Sequence, residues 1–217
     1  MNKKNTTTKL INTMLHLHNF DYVKDQILYK LVSKDAEELE GRPYIPYLDL
    51  AINFHVVLEV VGSRLISIPI YNDFLKMWNV DVETLMACAR NNISSLLPHK
   101  FSTLESIIKD LSTGMPLPDV EDEPPAFVLS NELNFWGATA ILNDEVQKEI
   151  GNILQMNYFV IPSSIHELII FPDDCIANKD DLREVICSVN EDYVDSSEVL
   201  SDHPYYYDRS LGKLLIP

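Results

Sequence analysis

From Leu48 to Leu58 the chain alternates so strictly that a β-strand is the only regular structure able to use it. Leu48, Leu50, Ile52, Phe54, Val56 and Leu58 point one way, and Asp49, Ala51, Asn53, His55 and Val57 the other. A period of two buries an apolar face only against another layer, so the chain must build a sheet with something packed on it. Gly62-Ser63 turns this strand into a partner, Arg64 to Ile70, and Pro69 places that partner at an edge or a strand end. The second face sets Asp49, Asn53 and His55 in a row, either facing solvent or forming the polar wall of a groove. These three are candidate ligand- or partner-binding residues.

Other segments attach to this strand by their own periods. Leu10, Ile11, Met14, Leu15 and His18 predict an amphipathic helix over 7–19, and Tyr22 to Leu31 alternates as a strand with one wet face. Asp35 to Glu40 predicts a helical turn or two, ended by Gly41 and Pro43. Helices are expected at Tyr71 to Trp78, at Val82 to Ile93 with Asp81 as N-cap, and at Thr103 to Leu111. Beyond an acidic, Pro-rich stretch at 112–125, strands are expected at Ala126 to Ser130, Phe135 to Leu142, Tyr158 to Pro162 and from His166 or Glu167 to Phe171. Helices run from Asn143 to Leu154 and from Asp180 to Tyr193, and 204–207 with 213–216 form a closing hairpin. The fold class is α+β: a largely antiparallel sheet with helices packed on it and a short N-terminal helical arm. The halves 1–111 and 126–217 are joined by a linker or loop at 112–125, or fold together as one domain.

Charge divides the chain unevenly. Of a net −16, residues 1–111 contribute −1 and residues 112–217 contribute −15. Such a field repels phosphates, so direct nucleic-acid binding is not expected, and it suits a basic protein surface. No run of 18 apolar residues occurs, and the polar start is too weak for a signal-peptide core, so no membrane contact and a cytoplasmic location are expected. Three cysteines without CxxC spacing fit neither a disulfide framework nor a zinc ribbon. With six glycines, no P-loop and no GxGxxG, no cofactor is expected.

One compact cluster could carry chemistry: Ser163, Ser164, His166 and Glu167, between two apolar runs, followed by Asp173 and Asp174. A serine activated by His166 and oriented by Asp173 or Asp174 is one arrangement, but the Gly-x-Ser-x-Gly elbow is missing. His166-Glu167 begins HExxH, yet Ile170 stands where the second histidine would be, which removes the zinc motif. Structurally, Ser164 and Glu167 have the S-x-x-E spacing of a capping box at a tight turn.

VKDQILYKLVS at 23–33, PYLDLAINF at 46–54, LSNE…GATAIL within 129–142, VIPSSIHELIIFP at 160–172 and EVLSDHPYYYD at 198–208 together resemble the bacterial family catalogued as domain of unknown function 5688. The resemblance implies a family widespread in anaerobic gut bacteria, often in company with mobile elements, with no established activity, cofactor or catalytic residue. Asn143-Asp144 departs from the family's pattern of a large hydrophobic or Tyr-Pro, and Ser130 to Phe135 is more acidic than that pattern. The expected function is non-enzymatic: an acidic half binding a basic protein surface, in its sharper form a nucleic-acid-mimicking inhibitor of a defence nuclease. The alternative is an enzyme with a hydrolase-like site around Ser164, His166 and Asp49.

Overall fold

The computed structural model describes residues 10–61, 64–111, 125–162, 164–176 and 179–217. The expected turn at Gly62-Ser63, Ser163 and nearly all of the 112–125 linker lie outside these residues, as does the start of the N-terminal helix. Two compact units emerge: Met1–Pro98 with Leu133–Phe135, and His99–Glu132 with Trp136–Pro217.

In the first unit a helical segment α1 (residues 10–15) and a single turn α2 (Phe20–Val23) lead to β1 (Ile27–Ser33). A 3-10 turn at Glu37–Leu39 precedes β2 (Tyr44–Tyr47), β3 (Leu50–Val61) and β4 (Arg64–Pro69), and then α3 (Asn72–Trp78) and α4 (Val82–Leu96). β3 is the centre of an antiparallel sheet. β1 covers one edge, from Ile27 opposite Val56 to Ser33 opposite Leu50, while β2 and β4 share the other, β2 along Leu50–Asn53 and β4 along His55–Val61. α4 packs on β1, burying Leu85, Ala89 and Ile93. Asp81 caps it by accepting from Thr84 N at 2.8 Å, and Asn92 Nδ2 donates to the carbonyls of Lys24 and Ile27.

Several sequence expectations change here. The strand expected from Tyr22 begins only at Ile27, and it has no wet face: Leu28, Lys30 and Val32 are as buried as their neighbours. Leu48 is a turn residue at φ 55, so the long strand starts at Leu50. Asn53 and His55 are buried, because the 3-10 turn lays Leu39 and Ala36 against Val32 and Ala51 on their face. In α1 the expected apolar stripe is turned outward, with Ile11, Met14 and Leu15 exposed. Thr13 is buried instead, its hydroxyl donating to Gln26 Oε1 at 3.2 Å.

The second unit opens with β5 (His99–Thr103), a strand that no period in the sequence marked, and α5 (Leu104–Leu111), whose Ser106 N donates to Thr103 Oγ1. β6 (Phe127–Asn131), a 3-10 helix at Gly137–Leu142, α6 (Asp144–Leu154), β7 (Tyr158–Ile161) and β8 (Leu168–Pro172) follow. α7 (Lys179–Tyr193), β9 (Tyr205–Asp208) and β10 (Lys213–Leu215) complete it. Its sheet is antiparallel throughout, in the order β10-β9-β7-β8-β6-β5. β5 pairs with β6, so the division between units falls at Pro98 and α5 belongs with the second sheet. Gly137–Leu142 is not the expected strand. All six residues are buried, and a short buried apolar run reads alike as strand or helix. On α7 Ile186 is buried and its neighbour Val185 is exposed. The three cysteines are free and half-buried.

Candidate functional site

The stretch from Ile161 to Leu168 joins β7 to β8 as an antiparallel pair, with Ile161 opposite Ile169. Its turn is pinned from three sides. Ile165 N donates to Glu198 O at 2.9 Å, Ser164 bridges to Val199, and Ala138 N donates to Ile165 O at 3.3 Å. Ser130 Oγ donates to His166 O at 2.9 Å. Gly137 crosses so close that a Cβ there would meet Ser130 Oγ and His166 O, and would lie 2.7 Å from Ser130 Cα. No other residue fits.

Around His166 several polar groups converge. Trp136 N–H points at Nδ1 at 3.4 Å, so Nδ1 carries the lone pair and Nε2 the proton, and Nε2 faces Glu198 Oε1 at 3.1 Å. Ser164 Oγ accepts from His166 N at 3.1 Å, a local turn in place of the expected capping bond to Glu167 N. Glu167 is exposed. Activation of a serine needs its hydroxyl to donate to a ring nitrogen, whereas Ser164 Oγ accepts from the backbone N–H of His166. Asp173 and Asp174 follow the far end of β8, about 13 Å of strand away. Asp173 Oδ2 accepts from the Tyr206 hydroxyl at 2.8 Å, and burial first and this carboxylate second push that hydroxyl up from its usual range. Asp174 Oδ1 accepts from Cys175 Sγ.

Asp49, Asn53 and His55 belong to the first unit, whereas Ser164, His166, Glu167, Asp173 and Asp174 belong to the second. Asp49 sits half-buried in the turn between β2 and β3. Asn53 and His55 lie in a covered polar layer with Lys30, Glu38 and Arg42. Lys30 Nζ donates to Glu38 Oε1 at 2.6 Å and Arg42 Nη1 to Glu38 Oε2 at 3.1 Å. His55 Nδ1 and Ser67 Oγ are 3.2 Å apart. Burial, and after it the charges of Lys30 and Arg42, push His55 down to about 3. Among the described residues no group of three or more His, Cys, Asp or Glu could hold a metal ion.

The sequence profile of DUF5688, described as a family of unknown function, matches residues 1–209. The chain belongs to that family. The match spans both units, so membership covers the polar layer and the His166 turn alike. No curated protein matched the chain, and no solved structure did. For a DUF5688 chain, roles must therefore be argued from geometry, and geometry adds residues that sequence reasoning missed. Glu198, Trp136 and Ser130 are brought to His166 by pairings more than 29 positions apart, which no local spacing signals. Lys30 did carry a signal: it is the single charge within ILYKLV.

Proposed function

We propose that the chain is an interaction protein whose second unit docks on a basic protein surface. The supporting observation is where its acids stand. That unit holds 22 Asp+Glu against 7 Lys+Arg, net −15, while the first holds 11 against 10. Many of these acids serve the fold. Asp144 and Glu145 occupy the first turn of α6, Asp195 accepts from Ser197, Asp202 pairs with Arg183, and Asp208 accepts from Ser210. Glu191 and Asp192 do not. They are exposed in the last turn of α7, where no base accompanies them. Carboxylates at the negative end of a helix dipole cost about 0.3–1 kcal/mol each. Charges that the fold would be better without have their use in an encounter, where a complementary field speeds and orients docking.

The test is the double variant Glu191→Gln with Asp192→Asn, assayed by capture of a basic protein from a lysate of the source organism. Stability holds or rises, capture weakens, and wild-type capture falls as salt is raised. Capture indifferent to salt or to the substitutions overturns the reading. The sharper form, imitation of nucleic acid toward a defence nuclease, requires that the captured protein be a nuclease and that duplex DNA compete for it. Without competition that form fails and the simpler one stands.

A further inference from the structure

Register gathers on one face of the first sheet groups that its apolar packing does not need. Lys30 of β1 and Tyr44 of β2 flank Asn53 of β3, and His55 follows two residues on. Over this face runs the strap between β1 and β2. Its Glu38 bridges two cations, Lys30 at 2.6 Å and Arg42 at 3.1 Å. Glu38 thus holds two cations over this face, and after burial their charges disfavour protonation of His55. Asn53 is fully buried, and among the described residues neither its Nδ2 nor its Oδ1 has a hydrogen-bond partner. Arg42 Nε also has none. Buried polar groups are nearly always bonded, so two unspent N–H donors beside a bridging carboxylate form an incomplete anion cradle.

We propose that this face is a binding site for a small oxyanion, a carboxylate or a phosphate, and that Glu38 is the internal anion such a ligand displaces. A tetrahedral or planar oxyanion presents more lone pairs than Glu38 brings to this spot, enough for Asn53 Nδ2 and Arg42 Nε as well as Lys30. Exchange of one anion for another leaves the buried cations compensated throughout. Access requires the strap to lift, and its apolar hold is small: Leu39 and Ala36 against Val32 and Ala51. Gly41, at φ 70, ends the strap, and Gly41 O is fixed by Asn72 N at 3.0 Å, which supplies a hinge. Arg42, beyond that hinge, stays over the Tyr71 ring at 5.4 Å.

The experiment is a nuclear magnetic resonance titration of the full chain with acetate and, separately, with phosphate, each exchanged for chloride at constant ionic strength. The Asn53 side-chain amide and Arg42 Nε–H signals shift and saturate with at least one of the two oxyanions. The responding one identifies the ligand class. Glu38→Gln tightens the apparent Kd by about tenfold, the factor expected when the competing closed strap holds roughly nine-tenths of the molecules. Lys30→Met weakens it. Signals that never saturate in the wild-type chain overturn the proposal whether or not the variants fold. Shifts that chloride alone reproduces, or a Glu38→Gln variant that binds no tighter, overturn it equally.

Discussion

Replacing Asn53 by valine should make the first unit more stable, which is unusual for a substitution at the centre of a sheet. Asn53 has no exposed surface, and both polar atoms of its amide are without partners among the described residues. Each orphaned buried group costs about 1–3 kcal/mol. Valine removes both, suits an extended backbone, and leaves the ladder to β1 and β2 intact. Leucine is the poorer probe, because its added bulk in a close-packed layer costs about 1–3 kcal/mol of its own. Even after some loss of contact around the shorter side chain, a net gain of about 2 kcal/mol is expected, roughly 4–8 °C in Tm for a chain of this length. Urea unfolding followed by far-ultraviolet circular dichroism should show the midpoint rising at unchanged slope. A lower midpoint would refute the reasoning, since it would mean that the Asn53 amide is bonded in solution and that valine removes those bonds.

Further consequences can be checked with the same melts. Gly137→Ala drives a methyl into Ser130 Cα and the His166 carbonyl, so a loss above about 3 kcal/mol is expected, with collapse of the amide spectrum of the second unit at the extreme. His55, held near 3 in the folded chain against 6.5 when unfolded, binds its proton more readily in the unfolded state. Stability should therefore fall as pH drops from 6.5 toward 3, by up to about 1.4 kcal/mol per pH unit, and His55→Gln should flatten that slope. A variant with the wild-type slope would discard His55 as its source. Removal of the imidazole in His166→Ala leaves Trp136 N–H and Glu198 without their ring partner, at a cost of about 1–3 kcal/mol. Nitrogen shifts of the wild-type ring should report the Nε2–H tautomer, and an Nδ1–H ring would contradict the assignment.

Much of the fold was legible because its signals are local. Alternation marked the β3–β4 pair, Asp81 and Asn143 marked helix starts through their own side chains, and Tyr205 to Leu215 announced a hairpin by its turn residues. β5 escaped notice because HKFST has no apolar face of its own and is a strand only by pairing with β6. Gly137–Leu142 was misread because apolar content without a period does not distinguish a strand from a 3-10 helix. The candidate site was half legible. Ser164 and His166 do stand at one turn, but the partner of that imidazole, Glu198, is 32 positions away.

Composition and period by themselves determined an α+β chain with antiparallel sheets, and charge by itself determined that its second part is the acidic one. Both follow from properties that each residue carries wherever the chain puts it. What only the tertiary structure decided is which polar groups lose their water. Asn53 and His55 looked like a wet face because alternation tells which residues share a side and not what lies across from it. The strap at 36–40, anchored by Leu39 and by Glu38 on Lys30, turned that side into an interior. Burial is a property of pairs of segments, and it is burial that makes an unpaired amide or a bridged carboxylate matter.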